Sequence, residues 1–254
     1  MLPFINLGFI KIPSYTLMLV VGVVSYATYL LVTLKKEGKS KQVIEKALLV
    51  SVLAFAVMGV TAFLFNSLFH SIEQGKLVMG GITWAGGVVG AFPAFVILTH
   101  FIIKEERGNE INFFSLLVPG IVLGHAFGRI GCFMDGCCYG ITTGTFLDMY
   151  FPSIAKSVLP TQLYECIFLF ALYYVMTKRD VHSLQIYCFG YGAFRFLIEF
   201  LRGDIARGEF VPGMSPAQFI SILLVVTGIV LTIFWDKIST SSINRVDKVE
   251  EVQQ

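Results

Sequence analysis

Apolar residues run along this chain in long blocks separated by short polar stretches, a pattern far too extended for strands. A helix needs about 20 mainly apolar residues to cross the hydrocarbon core of a bilayer. Seven blocks approach that length: Tyr15–Leu34, Ile44–Phe69, Ala85–Ile103, Phe113–Phe133, Gln162–Met176, Leu184–Leu201 and Ala217–Trp235. The fifth is short, and the fourth and sixth carry charges at their ends. The pattern predicts an all-α polytopic membrane protein of about seven transmembrane helices. Asp236–Gln254 is polar and mixed in charge, and reads as a disordered cytoplasmic tail. The expected organisation is therefore one transmembrane domain over 1–235 and a tail over 236–254. Between the fourth and fifth blocks, Gly140–Pro160 mixes Thr, Gly, Pro and aromatic residues, which suits a small interfacial cap.

Composition agrees with this pattern. Of 254 residues, 56% are hydrophobic and only 14% charged, and the mean hydropathy is +0.76. Soluble domains carry roughly a quarter charged residues. The formal net charge of +2 gives no reason to expect a nucleic-acid partner. No small-residue cleavage site follows the first apolar block, so that block is expected to stay as an anchor.

Lysine and arginine placement orients the spans, because cytoplasmic loops carry an excess of both. Lys35, Lys36, Lys39, Lys41, Lys46, Lys104, Arg107, Lys178, Arg179, Lys237, Arg245 and Lys248 all fall on one side of a seven-span arrangement. They are twelve of the nineteen basic residues. The N-terminus is thus expected outside and the C-terminus in the cytoplasm. The outer side keeps Lys11, Lys76, Arg129, Lys156, Arg195, Arg202 and Arg207.

Three of those outer residues, Arg129, Arg195 and Arg202, sit at helix ends rather than in plain loops. An ionisable residue at membrane depth is a functional-site hypothesis by default, because it is costly to hold there. Arginine suits planar, bidentate recognition of phosphate or carboxylate; snorkelling to the interface or pairing with acids inside the bundle is the other reading. Arg195 and Glu199 stand at i and i+4, with Arg202 three further on, so a continuous helix would put all three on one face. Two arginines against one glutamate leave a surplus positive charge for an anion, unless the network is purely internal. His125 lies one helical turn before Arg129, as a packing residue or a base. Glu165 follows Pro160-Thr161-Gln162-Leu163-Tyr164 within an apolar helix, and Tyr15 stands near the start of the first span. Gly80-Gly81-Ile82-Thr83-Trp84-Ala85-Gly86-Gly87 permits close backbone approach or simple helix packing.

Cys132, Cys137 and Cys138 have the spacing C-x4-C-C, with no second ligand pair elsewhere. Adjacent cysteines do not easily serve one tetrahedral ion, so no metal is expected. A disulfide on an oxidising outer face stays open. Cys166 and Cys188 read as buried apolar residues.

In order along the chain, these segments resemble the motifs of the bacterial prolipoprotein diacylglyceryl transferases. The matching residues are Tyr15, Gly80–Gly90, Gly128-Arg129-x-Gly131-x-Phe133 with Tyr139-Gly140, Pro160-Thr161-Gln162-Leu163-Tyr164-Glu165, Phe194-Arg195-x3-Glu199-x2-Arg202 and Met214–Gln218. Several dispersed motifs in one order are far more specific than any one alone, and they span nearly the whole chain. The family's seven-span, N-out topology agrees with the lysine and arginine distribution. The chain departs from the family pattern at Cys132 and Asp135, where asparagines are usual, at Cys137, where a glutamate is common, and at Ala85 and Leu159, where histidines are usual.

The resemblance implies transfer of a diacylglyceryl group from phosphatidylglycerol to the lipobox cysteine of prolipoprotein signal peptides. Glycerol-1-phosphate is released, in the bacterial cytoplasmic (inner) membrane, with no metal or soluble cofactor. It implies that Arg129 and Arg195 stabilise the leaving phosphate, oriented by Glu199 and Arg202. His125 or Asp135 would accept the thiol proton. Tyr15, Gly128, Gly131, Cys132, Gly140, Gln162, Tyr164 and Glu165 would complete the substrate-binding set. Two alternatives stand beside it: a phospholipid-dependent transferase with another acceptor, and a non-catalytic membrane lipid-binding or transport protein on the same fold.

Overall fold

The structure is a computed structural model that describes all residues except 7, 9–10, 82–83, 179–181, 204–212 and 254. Side chains at 69, 73, 84–85 and 236–253 are also outside the description. Among the residues weighed above, Ile82, Thr83, Arg179 and Arg207 therefore lie outside it, as do the side chains of Ala85, Lys237, Arg245 and Lys248.

The chain is mostly helical, about 74%, as an all-α polytopic membrane protein should be. Helices occupy every expected apolar block: α1 (Ser14–Lys36), α2 (Lys41–Gln74), α3 (Trp84–Ile102), α4 (Glu110–Asp135), α5 (Thr161–Lys178), α6 (Ser183–Ile198) and α7 (Pro216–Gln253). Four of the described helices are long and apolar enough to cross a membrane, namely Ser14–Lys36, Lys41–Ile72, Glu110–Asp135 and Pro216–Trp235, and Gly86–Ile102 is a shorter apolar helix. The other two, α5 and α6, bury Gln162, Glu165, Gln185 and Arg195 in place of apolar side chains. Helical backbone also continues beyond Trp235 to Gln253, where a disordered tail was expected.

Two compact units share the chain. Unit 1 comprises Met1–Leu30 and Leu117–Thr232; unit 2 comprises Leu31–Leu116 and Ile233–Gln254. In unit 1, glycines on α1 and α4 allow the two helices to approach closely. A Cβ on Gly22 would stand 2.8 Å from the Gly124 carbonyl oxygen, and one on Gly120 would stand 2.6 Å from the Tyr29 ring. Gly131 faces Met18 and Tyr15 in the same way. Small residues are how membrane helices gain van der Waals contact, since lipid supplies no hydrophobic drive between them. Outward positions such as Val20, Val23, Val24 and Val230 are exposed and apolar.

Two antiparallel ribbons flank the end of α4 in unit 1. Strands β1 (Phe4–Asn6) and β2 (Lys11–Pro13) pair Ile5 with Ile12, and the Leu2 N–H donates to the Met134 carbonyl at 3.1 Å. Strands β3 (Met149–Phe151) and β4 (Lys156–Val158) pair Tyr150 with Ser157. Fully buried Phe151 anchors this second ribbon against Phe133 and Tyr139. The expected small cap is therefore a β-hairpin. At its base, desolvation opposes ionisation of Asp148. Hydrogen bonds from the Thr143 hydroxyl and the Gly144 and Thr143 N–H groups outweigh it and hold the carboxyl below its usual range.

Unit 2 holds the α2–α3 pair. Ser40 caps α2, accepting from the Val43 N–H, and Gly75 ends it in the left-handed conformation. Gly86, Gly87 and Gly90 press against Phe65, Met58 and Thr61; a Cβ on Gly90 would fall 2.2 Å from the Thr61 hydroxyl oxygen. Of the two readings of this glycine-rich segment, helix packing accounts for these three.

Candidate functional site

The polar residues of α4, α5 and α6 gather on one carboxylate in unit 1. Arg129 Nη2 lies 2.9 Å from Glu165 Oε1, with the two side chains 11% and 2% exposed. The Tyr191 hydroxyl donates to the same oxygen at 2.7 Å. His125 Nε2 stands 3.8 Å from it, and its ring packs edge-on against Tyr191 at 5.2 Å. Helical spacing explains the convergence: His125 and Arg129 are one turn apart on α4, and Tyr187, Tyr191 and Arg195 recur every fourth residue on α6. Arg195 Nη1 then lies 2.8 Å from Glu199 Oε2, again with both side chains buried.

Backbone hydrogen bonds lock three sequence-distant motifs together. After α4, the Gly140 N–H donates to the Leu159 carbonyl at 2.8 Å, and the Ile141 N–H to the Leu201 carbonyl at 2.9 Å. The Gly203 N–H returns to the Tyr139 carbonyl at 3.1 Å, and Gly140 and Arg202 form an antiparallel bridge. Side chains extend the lock. The Gln162 amide donates to the Cys137 carbonyl, and the Thr161 hydroxyl to the Cys138 carbonyl. Gly140 has no room for a side chain: a Cβ would meet the Leu201 carbonyl oxygen at 2.7 Å and the Leu159 and Thr161 side chains at 2.8 Å.

Arg202 differs from the expectation of a single helical face. Helix α6 ends at Ile198, a 3-10 turn follows over Glu199–Leu201, and Arg202 is extended, with φ −78° and ψ 139°. The tertiary hydrogen bonds of Leu201 and Gly203 to the Tyr139–Ile141 segment replace the helical ones that would have kept Arg202 in line with Arg195 and Glu199.

The other expected residues divide. Tyr15 packs on Gly131 at the α1–α4 contact. Cys132 is buried in the last turns of α4. Gly128 is open, since nothing lies within 4 Å of where its Cβ would be. Asp135 is exposed at the end of α4, and the carboxylate gathered around Arg129 and His125 is Glu165. Tyr191 and Thr161 were not among the expected site residues. The four-residue repeat ending in Arg195 could have flagged Tyr191; nothing local marks Thr161.

Arg129 Nε, Gln162 Oε1 and the Tyr164 hydroxyl are buried with no hydrogen-bond partner among the described residues. Buried polar atoms are nearly always satisfied, so these three are available to a polar ligand. The unpartnered Nε of the Arg129 guanidinium suits an anionic one.

A family model described as prolipoprotein diacylglyceryl transferase matches residues 3–234. The chain is 29% identical to phosphatidylglycerol–prolipoprotein diacylglyceryl transferase 2 of Clostridium perfringens, over 87% of this chain and 90% of the relative. It is 28% identical to the phosphatidylglycerol–prolipoprotein diacylglyceryl transferase of Clostridium tetani, over 87% of this chain and 92% of the relative. It is 35% identical to the one of Bordetella avium, over 65% and 64%.

Proposed function

Because the chain belongs to the prolipoprotein diacylglyceryl transferase family, we propose that this membrane transferase moves a diacylglyceryl group from phosphatidylglycerol to the lipobox cysteine thiol of prolipoproteins. The carrying observation is the joining of three motifs around the Arg129–Glu165–Tyr191 unit and the Gly140–Arg202 bridge. In the step, the cysteine sulfur attacks the glyceryl carbon that bears the phosphate. The new C–S bond forms as that C–O bond breaks, its electrons leave with glycerol-1-phosphate, and the thiol proton passes to a base.

Each group has a role that fits its surroundings. Arg129 and Arg195 bind the phosphate and stabilise the charge that grows on its bridging oxygen. Glu165 and Glu199 hold these arginines in fixed directions, and Arg202 adds charge from the Gly140 bridge. Orphaned Arg129 Nε, Gln162 Oε1 and the Tyr164 hydroxyl meet headgroup oxygens and hydroxyls. Of the two proton acceptors considered, buried His125, 3.8 Å from Glu165, is better placed than exposed Asp135. Tyr15 contributes to lipid binding at the outer end of α1. The reading includes seven spans in the bacterial cytoplasmic membrane, with the N-terminus outside and the twelve clustered basic residues within.

Arg129→Ala and Arg195→Ala should each abolish lipidation of a lipobox peptide by vesicles carrying phosphatidylglycerol, while membrane insertion persists. Arg→Lys at either position keeps the charge but loses the planar fork, and should lower turnover by about 10²-fold or more, the range for losing one oriented donor. Unimpaired conversion by both alanine variants would refute the phosphate clamp. Binding of phosphatidylglycerol without any release of glycerol phosphate by the unaltered protein would point instead to a non-catalytic binder.

A further inference from the structure

Cys132, Cys137 and Cys138 hold their three Sγ atoms within 4.8 Å of one another, and all three thiols are free. We propose that they form a binding site for a thiophilic monovalent metal ion of the Cu(I) class, a property separate from the transferase reaction.

The backbone builds the cluster. At the end of α4 the Gly136 N–H donates to the Cys132 and Phe133 carbonyls at 3.0 and 3.2 Å, and the Cys137 N–H donates to the Cys132 carbonyl at 3.2 Å. Gly136 at φ 80° and Cys138 at φ 61° are both left-handed. These two reversals fold the chain back over the helix end. In an extended chain, adjacent side chains point to opposite sides. Here the turn lets Cys137 and Cys138 both face Cys132, which removes the objection the sequence raised against adjacent cysteines as ligands.

The geometry and charge then select the ion. Metal–thiolate bonds of about 2.3 Å set three sulfurs around one ion roughly 4 Å apart, so small side-chain rotations close the cluster. Soft thiolates select Cu(I) or zinc. Structural zinc takes four protein ligands, whereas this group offers three Cys, His, Asp or Glu ligands among the described residues. A trigonal monovalent ion is complete with three. Binding displaces three protons to solvent, forms three metal–sulfur bonds and changes no oxidation state. The resulting complex carries two negative charges, and Arg129 and Arg202 lie close enough to act electrostatically on Cys138.

The site also has a mechanical consequence. The carbonyls of Cys137 and Cys138 accept from Gln162 and Thr161, so a bound ion fixes the turn that holds the first residues of α5.

The test titrates reduced, detergent-purified full-length protein with Cu(I) under argon, against a chromogenic Cu(I) chelator. One ion per chain should be retained, with three sulfurs at about 2.3 Å by X-ray absorption, and the thermal midpoint should rise on loading. Cys132→Ser, Cys137→Ser and Cys138→Ser should each lose retention, while the double variant Cys166→Ala/Cys188→Ala should keep it. The proposal fails if the unaltered reduced protein retains no ion, or if the three serine variants retain it equally. It also fails if the chelator-resistant copper depends on Cys166 or Cys188. These readouts are metal content and coordination, so they stand or fall independently of lipidation.

Discussion

Two ion pairs in this protein have the same length and opposite meanings. In unit 2, Lys46 Nζ lies 2.9 Å from Glu105 Oε1, with the side chains 23% and 43% exposed. In unit 1, Arg129 and Glu165 are also 2.9 Å apart, at 11% and 2% exposed. The first pair keeps much of its hydration, so its Coulomb attraction is screened and contributes little. The second has lost its water, and neither charge is tolerable without the other. A shared distance therefore says little; the surroundings decide whether a pair is surface decoration or a fixed element of a site. The arginine also keeps an orphaned Nε, and Tyr191 shares its carboxylate, features the Lys46–Glu105 pair lacks.

Removing one partner should break this comparison most sharply. Glu165→Ala leaves the Arg129 guanidinium buried and unpaired, and should destabilise the protein by about 3–5 kcal/mol, read as a lowered unfolding midpoint in detergent. The double variant Arg129→Met/Glu165→Met should recover most of that stability and remain inactive. Recovery of lipidation by the double variant would show that the pair is structural only.

A smaller effect belongs to Tyr191→Phe. It deletes one hydrogen bond to a charged oxygen and should cost about 1.5–3 kcal/mol, with a partial loss of activity and little further loss of stability when added to Glu165→Ala. If Tyr191→Phe matches the unaltered protein in both measures, the carboxylate needs no third partner.

The smallest effect should come from unit 2. Lys46→Ala should change stability by about 0.2–1 kcal/mol, less at high salt. Glu105 accepts a hydrogen bond from its own backbone N–H and another from Lys46, and the two hold its carboxyl below the usual range. A depressed carboxyl contributes stability above its unfolded value and loses it as pH falls through the folded one. The difference between the unaltered protein and Glu105→Gln should thus be present near neutrality and vanish in acid. A difference that grew on acidification would reverse the assignment.

Much of the fold was legible from hydropathy because a bilayer forces every spanning backbone to satisfy its own hydrogen bonds. All seven apolar blocks are helical. Arg129, Arg195, Glu199 and Glu165 were visible because ionisable residues stand out in apolar helices. The pairing was not: Arg195–Glu199 is local and readable at i, i+4, but Arg129 and Glu165 are thirty-six positions apart in sequence. Tyr191 is one of several aromatic residues in α6, and nothing in its spacing names Glu165 as its partner. Arg202 leaves the helical face because tertiary hydrogen bonds of Leu201 and Gly203 take over where α6 ends.

The sequence alone determined that the seven apolar blocks are helical, which residues are charged at membrane depth, and where glycine permits close approach, since these follow from local composition and spacing. The tertiary structure alone decided that Glu165 meets Arg129, and that Gly140 must stay bare between Leu201, Leu159 and Thr161. Those outcomes depend on contacts between residues far apart in the chain. Their energy comes from desolvation and packing in the assembled core, which no local pattern encodes.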